Sequence, residues 1–200
     1  MKTLLAILVI AAMAVTATAG DNPQVYAYIS FDAAGDEAAN SVAPLPYSTV
    51  NAYFCLGCVE GGLTTVSFML NDALVDCPNT GGSGMATQAF VNLMPGNLAI
   101  GDAFTAPGIT IASTDCMMMD PVIVGYGTYF YLGGDCVISI MDHVEYPRWV
   151  VDCQDPGQVD LYCVQGHGAV GAAVAPAGED CPCGSPVEDA TWGGIKALYR

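Results

Sequence analysis

Two hundred residues carry 20 acidic and only 4 basic side chains, for a net charge of −16, and hydrophobic residues make up 53% of the chain. That apolar content excludes a disordered polymer and suffices for a core. The acidity excludes nucleic acid, whose binding requires cations that displace counterions, and disfavours anionic membranes; it fits solubility, a saline habitat or weak divalent-cation binding.

The chain starts Met1-Lys2, continues with an almost wholly apolar stretch over residues 4–15, and then reads Ala17-Thr18-Ala19. A positive start, a short apolar run and small residues at the two positions a signal peptidase reads make residues 1–19 a predicted cleavable export signal. The run is too short for a bilayer, which takes ~20 residues, so no membrane span is expected after cleavage. Gly20-Asp21-Asn22-Pro23 breaks any helix, and once Lys2 has left with the leader the remaining cations are Arg148, Lys196 and Arg200.

Beyond Pro23 the pattern has period two. Val25, Ala27, Ile29 and Phe31 alternate with Tyr26, Tyr28 and Ser30. Val50, Ala52 and Phe54 alternate with Thr49, Asn51 and Tyr53, and Thr64, Val66, Phe68 and Leu70 with Thr65, Ser67 and Met69. Residues 86–91 and 109–112 are weaker strand candidates. Val122, Val124, Tyr126, Thr128, Phe130 and Leu132 share one face of a longer run, and Cys136, Ile138 and Ile140 one face of the next; Val159, Leu161 and Cys163 then alternate with Asp160 and Tyr162. Such alternation of β-branched and aromatic residues is what half-buried strands require. Turn residues separate the runs at 32–36, 79–84, 95–97, Pro107-Gly108, 133–135 and 155–157. With no convincing helical period between them, the prediction is all-β: an Ig-like antiparallel β-sandwich over residues 20–165, stapled by disulfides.

Residues 166–184 form a Gly/Ala-rich segment, either a last strand or a linker, closed by a Cys181-Pro182-Cys183 knot. In the tail, 185–200, Thr191 can cap a short helix with Trp192, Ile195 and Leu198 on one side, Glu188 and Asp189 near its start and Arg200 at its end, as the helix dipole favours. Gly193 and Gly194 weaken that helix.

Nine cysteines, Cys55, Cys58, Cys77, Cys116, Cys136, Cys153, Cys163, Cys181 and Cys183, read as a disulfide framework once the chain is exported, with one thiol left over. Spacing does not dictate connectivity; the expected bridges are Cys116 with Cys136, which flank one long apolar run, and Cys77 with Cys55 or Cys58. Cys55-x-x-Cys58 and Cys181-x-Cys183 together offer four sulfurs to zinc, and the first alone is a redox spacing. Disulfides are the preferred reading, because Cys55-x-x-Cys58 ends a strand-like run rather than opening a helix.

Catalytic constellations are missing. His143 and His167 are the only histidines. Ser83 lies in Gly82-Ser83-Gly84, but Met85 stands where a nucleophile elbow needs its last glycine. His143-Val144-Glu145 has the H-x-E spacing of zinc deaminases without the P-C-x-x-C that must follow, so His143 reads as a surface histidine at a strand end and His167, between glycines, as exposed. Asp32, Asp36 and Glu37 cluster after the first strand and are weak calcium candidates, with a solvated turn the plainer reading. Met117-Met118-Met119 reads as core filling or a hydrophobic loop rather than a copper site. Tyr26 and Tyr28, opposite Val25 and Ile29, are the tyrosines best placed to form an exposed ligand platform.

The closing Pro186-Val187-Glu188 and Thr191-Trp192-Gly193-x-Ile195-Lys196-Ala197-Leu198-Tyr199-Arg200 resemble the end of a family of uncharacterised secreted β-sandwich proteins of uncultivated bacteria. So do Tyr28-Ile29-Ser30-Phe31-Asp32-x-x-Gly35, Gly108-Ile109-x-Ile111 followed by Cys116, and then Cys136 and Val150-Val151-Asp152-Cys153. The resemblance implies export and a terminal sorting signal carried by Trp192, Ile195, Lys196, Leu198 and Tyr199; it implies no activity. The expectation is a secreted or cell-surface, non-catalytic protein without cofactor. Its partners would be other extracellular proteins, in adhesion or an extracellular structure, or glycans. The alternatives are a carbohydrate-binding module and a secreted hydrolase.

Overall fold

Strands form where alternating side chains have a second sheet to bury against, and the computed structural model, which describes residues 20–71, 84–96, 98–181 and 183, contains only strands and loops among them. None of the described residues belongs to a helix long and apolar enough to cross a membrane. The predicted leader and tail, Cys77 and Ser83 lie outside the described residues.

One sheet runs β13 (Cys163–Val164), β1 (Tyr26–Ser30), β3 (Ser48–Gly57), β8 (Val122–Tyr131), β5 (Met85–Asn92). The second runs β12 (Val159–Leu161), β11 (Trp149–Val151), β4 (Leu63–Leu70), β7 (Thr105–Met117), β6 (Leu98–Asp102), with β10 (Ile140–Met141) also paired to β4. A small third sheet joins β2 (Ser41–Val42), β14 (Gly168–Val170) and β9 (Cys136–Ile138). Pairing is antiparallel except β1 with β13 and β2 with β14. The all-β, Ig-like sandwich expected from the periodicity is the fold observed. The Gly/Ala-rich segment left open between strand and linker supplies β14.

The two large sheets close over a core in which Phe54 of β3 stacks on Phe68 of β4 at 4.0 Å between ring centroids, both fully buried. Tyr162, just before β13, packs its ring edge against Phe54 and donates its hydroxyl to the Ser67 carbonyl at 3.1 Å, so a buried polar tip finds a partner. Burying one such ring stabilises the fold by about 2–3 kcal/mol.

Three expectations need correction. The long apolar run does not keep one face: the pairing of β3 with β8 slips between Phe54 and Cys55, so Val122 and Val124 point inward, then Tyr129 and Tyr131. Gly125 permits the slip, because a Cβ there would overlap the Val91 carbonyl and the Phe90 ring of β5. Pro107-Gly108 is not a turn but lies inside β7, where Gly108 adopts φ +111° against His143. On β12 the inward residue is Asp160, while Val159 and Leu161 face out.

The bridges differ as well. Cys58 joins Cys183, Cys116 joins Cys153 and Cys163 joins Cys181, while Cys55 is a buried free thiol. Cys136 is disulfide-bonded, but not to Cys116. The reason is register: β7 and β11 flank β4, and the pairs Leu63–Met117 and Thr65–Val151 bring Cys116 and Cys153 together at the same end. Chain distance is irrelevant once two strands share a neighbour. Disulfides persist in oxidising compartments, and three of them among the described residues are the chemistry of such a compartment.

Candidate functional site

The second sheet turns an unusual face outward. In β4, Val66, Phe68 and Leu70 fill the core and leave Thr65 and Ser67 outside; in β7, Ile109 and Ile111 fill it and leave Thr110 and Ala112 outside. The register then builds two cross-strand rows. One runs Val159, Val151, Thr65, Ala112, Leu98; the other runs Leu161, Trp149, then Ser67, Thr110 and Ile100. Small hydroxyl-bearing residues floor the middle, and large apolar residues stand on both sides. Leu98 and Ile100 are 58% and 63% exposed, and Leu161 is 63% exposed.

One end is walled by the loop after β10. Its turn is organised by His143, whose Nδ1 accepts the N–H groups of Glu145 and Tyr146, each at 3.1 Å, leaving Nε2 to carry the ring proton. The Val144 N–H donates to the Pro107 carbonyl and ties the loop to β7. Tyr146 is thereby held between His143 and Trp149, with ring centroids at 5.3 Å and 5.1 Å. The result is an open cavity of about 420 Å³ lined by Ser67, Thr110, Ile100, Glu145, Tyr146 and Trp149, among others.

The Ser67 hydroxyl is paired with that of Thr110 at 2.9 Å, and backbone donors occupy the one lone pair of His143, so Ser67 and His143 do not form a nucleophile–base couple. No Lys or Arg lines the cavity. Large apolar side chains clustered in water on a folded surface mark an interaction site.

The residues singled out from sequence fall elsewhere. Tyr28 is only 3% exposed and Tyr26 is half-buried, because residues 31–39 fold back over them. The Tyr28 hydroxyl donates to the Gly35 carbonyl at 2.6 Å and that of Tyr26 to Glu37 at 3.0 Å; burial, then the Glu37 bond, pushes the Tyr26 phenol up to about 12. The expected platform is covered. In the same loop Asp32 and Asp36 accept the N–H groups of Ala34 and Ala38, and Glu37 also accepts from Gln165, so these carboxylates serve the turn rather than converge on an ion. His143 is 4% exposed, not a surface residue. His167 is half-buried and accepts the Ile140 N–H, and desolvation lowers its pKa. Met117 is buried, while Met118 and Met119 are exposed. Among the described residues the one metal-like cluster is Cys163, Glu179 and Cys181, whose sulfurs are joined to each other.

Sequence reasoning missed Trp149, Tyr146, Leu98 and Ile100. A three-residue strand such as Trp149-Val150-Val151 shows too few alternations to register, and Leu98-Ala99-Ile100 has none of the polar contrast that marks a face.

No protein-family model matches the chain, and no curated protein matches it significantly. Solved structures do resemble it. A type I cohesin from Clostridium thermocellum, in a cohesin–dockerin complex, superposes with a TM-score of 0.50 at 10% identity, covering 78% of this chain and 96% of its own. A cohesin from Clostridium acetobutylicum gives a TM-score of 0.48 at 11% identity over 76% of this chain and 92% of its own. The sixth cohesin of scaffoldin B from Acetivibrio cellulolyticus, in complex with a dockerin, gives 0.47 at 11% identity over 73% and 96%. At such identity the first of these establishes shared architecture: a β-sandwich of the kind cohesins adopt.

Proposed function

We propose that the protein acts outside the cell as a non-catalytic protein-contact module, and that the outer face of the second sheet is where its partner docks. One observation carries this reading: Leu98, Ile100, Trp149 and Leu161 stand in water on a sheet whose inner face already has a full core. The solved relative in a cohesin–dockerin complex supports it by analogy of architecture. The predicted leader and the disulfides support export. A strongly acidic chain with Glu145 at the cavity favours a partner segment that is apolar at its centre and basic at its rim.

The test is photo-crosslinking from Leu161 and Ile100 in native culture, with identification of the captured protein and measurement of its affinity for the purified chain. Trp149→Ala is expected to cost about 2–4 kcal/mol of binding and Ile100→Asp at least tenfold in affinity, with the thermal midpoint of each variant nearly unchanged. Unchanged affinity in both refutes the surface, and a hydrolytic activity lost with a single carboxylate or histidine refutes the class. A second reading, a neutral glycan stacked on Tyr146 and Trp149 over the Ser67–Thr110 hydroxyls, is favoured by the paired rings. Glycan-array binding that weakens in Trp149→Ala selects it.

A further inference from the structure

Gly20 is buried, and its Cα presses on the carboxyl group of Asp160 so closely that a Cβ there would overlap it. The following residues are pinned by side chains. The Asp21 N–H donates to Asp152 Oδ2 at 3.1 Å, and the Asn22 N–H to Asp160 Oδ2 at 2.8 Å. The Asn22 amide spans Gly61 and Gly62, donating to the Gly62 carbonyl and accepting the Gly61 N–H. Residues 20–22 are therefore held in a fixed path beside two carboxylates that are themselves buried, Asp152 at 1% and Asp160 at 6% exposure.

Buried carboxylates demand compensation. Asp152 finds it in backbone: burial works to raise its pKa, but the N–H groups of Gln158, Asp21 and Gln154 outweigh that and hold it below the usual carboxylate range. Asp160 accepts the Asn22 N–H through Oδ2. Side-chain cations are scarce. Arg148, the one Lys or Arg among the described residues, is committed to Asp142 and Glu179.

We propose that the cation that compensates Asp160 is the α-ammonium of Gly20, created by cleavage after Ala19, and that it docks against Asp160 to complete the edge where β11 and β12 meet. The inference rests on reading residues 1–19 as a cleavable leader. Hydrolysis of the Ala19–Gly20 peptide bond leaves a carboxylate on the departing leader and an ammonium on the mature chain, so one step both frees the protein and supplies the charge. An α-ammonium carries three donors where the uncleaved amide carries one. Glycine is the residue the site admits, because any side chain would enter the space Asp160 fills.

The experiment compares three forms of the mature chain at pH 7: one beginning at Gly20 without a scar, the same chain with its α-amine acetylated, and one retaining residues 17–19. Thermal midpoints are measured in each, with and without Asp160→Asn. Acetylation or extension is expected to lower the midpoint by about 5–10 °C in the natural sequence. In Asp160→Asn the drop should shrink to a small fraction of that. Equal midpoints in the three forms, or a drop that persists in full in Asp160→Asn, overturn the pairing. If that variant does not fold, the rate at which an α-amine-selective aldehyde labels the native chain decides instead. At least tenfold slower labelling than in urea supports the docked terminus, and equal rates overturn it. N-terminal sequencing of exported protein separately tests the leader: Gly20 as first residue supports the processing step, and any other start overturns it while the scar-free chain still judges the pairing.

Discussion

Cys55 shows how little a side chain's type says about its role. It lies in a C-x-x-C spacing in a disulfide-rich chain, yet its neighbour Cys58 leaves it for Cys183. Position explains this: Cys55 sits on β3 under the 31–39 loop, its thiol donating to the Tyr53 carbonyl and packed near Gly35. Burial, partly offset by a hydrogen bond with Tyr28 and reinforced by Asp32, pushes the thiol up to about 12. A thiol held so far above ambient pH is a poor nucleophile. Iodoacetamide at pH 8 should leave Cys55 unmodified in the folded protein and alkylate it fully in denaturant, as read by peptide mass. Rapid labelling of the native state would contradict this burial.

At the scale of elements, β11 is the instructive case. It has three residues, too few to hold a place by backbone bonds alone, yet it carries Trp149 and borders β4. The Cys116–Cys153 bridge, with Cα atoms 5.7 Å apart, ties the chain just beyond β11 to the end of β7 across β4. Gly62 lets the bridge approach, since a Cβ there would lie 2.6 Å and 2.8 Å from its two sulfurs, and its φ of +68° suits glycine. Replacing both cysteines by alanine closes no loop in the unfolded chain and should cost about 2–4 kcal/mol in urea unfolding. Amide exchange should quicken at Trp149–Val151 well before β8. Uniform loss of protection across both strands would show that the bridge acts globally rather than on this edge. The alternation that made β1, β3 and β4 legible is absent from β11 and β6, which exist because neighbours complete them.

The whole molecule is shaped by one-sided charge. Among the described residues a single Arg serves a chain whose net charge is −16, and because strands β3, β5 and β8 carry no charge, the carboxylates gather mostly in the loops, with Asp102, Asp115 and Asp160 on β6, β7 and β12. Repulsion among them opposes folding, and salt shortens its reach from about 30 Å at 0.01 M to about 3 Å at 1 M. The thermal midpoint should rise by several degrees over that range. A flat or falling curve would mean that the loops already hold their charges far enough apart.

Sequence alone determined that the protein is all-β and sulfur-stapled. Composition and period-two alternation are local properties, set by which side chains a pleated backbone can half-bury. Only the tertiary structure decided which cysteines meet, that Tyr28 and His143 are buried, and that Val159 and Leu161 face water while Asp160 faces in. Each of these depends on which strands share a neighbour and in what register, and a one-residue slip reverses every face without changing a letter of the chain.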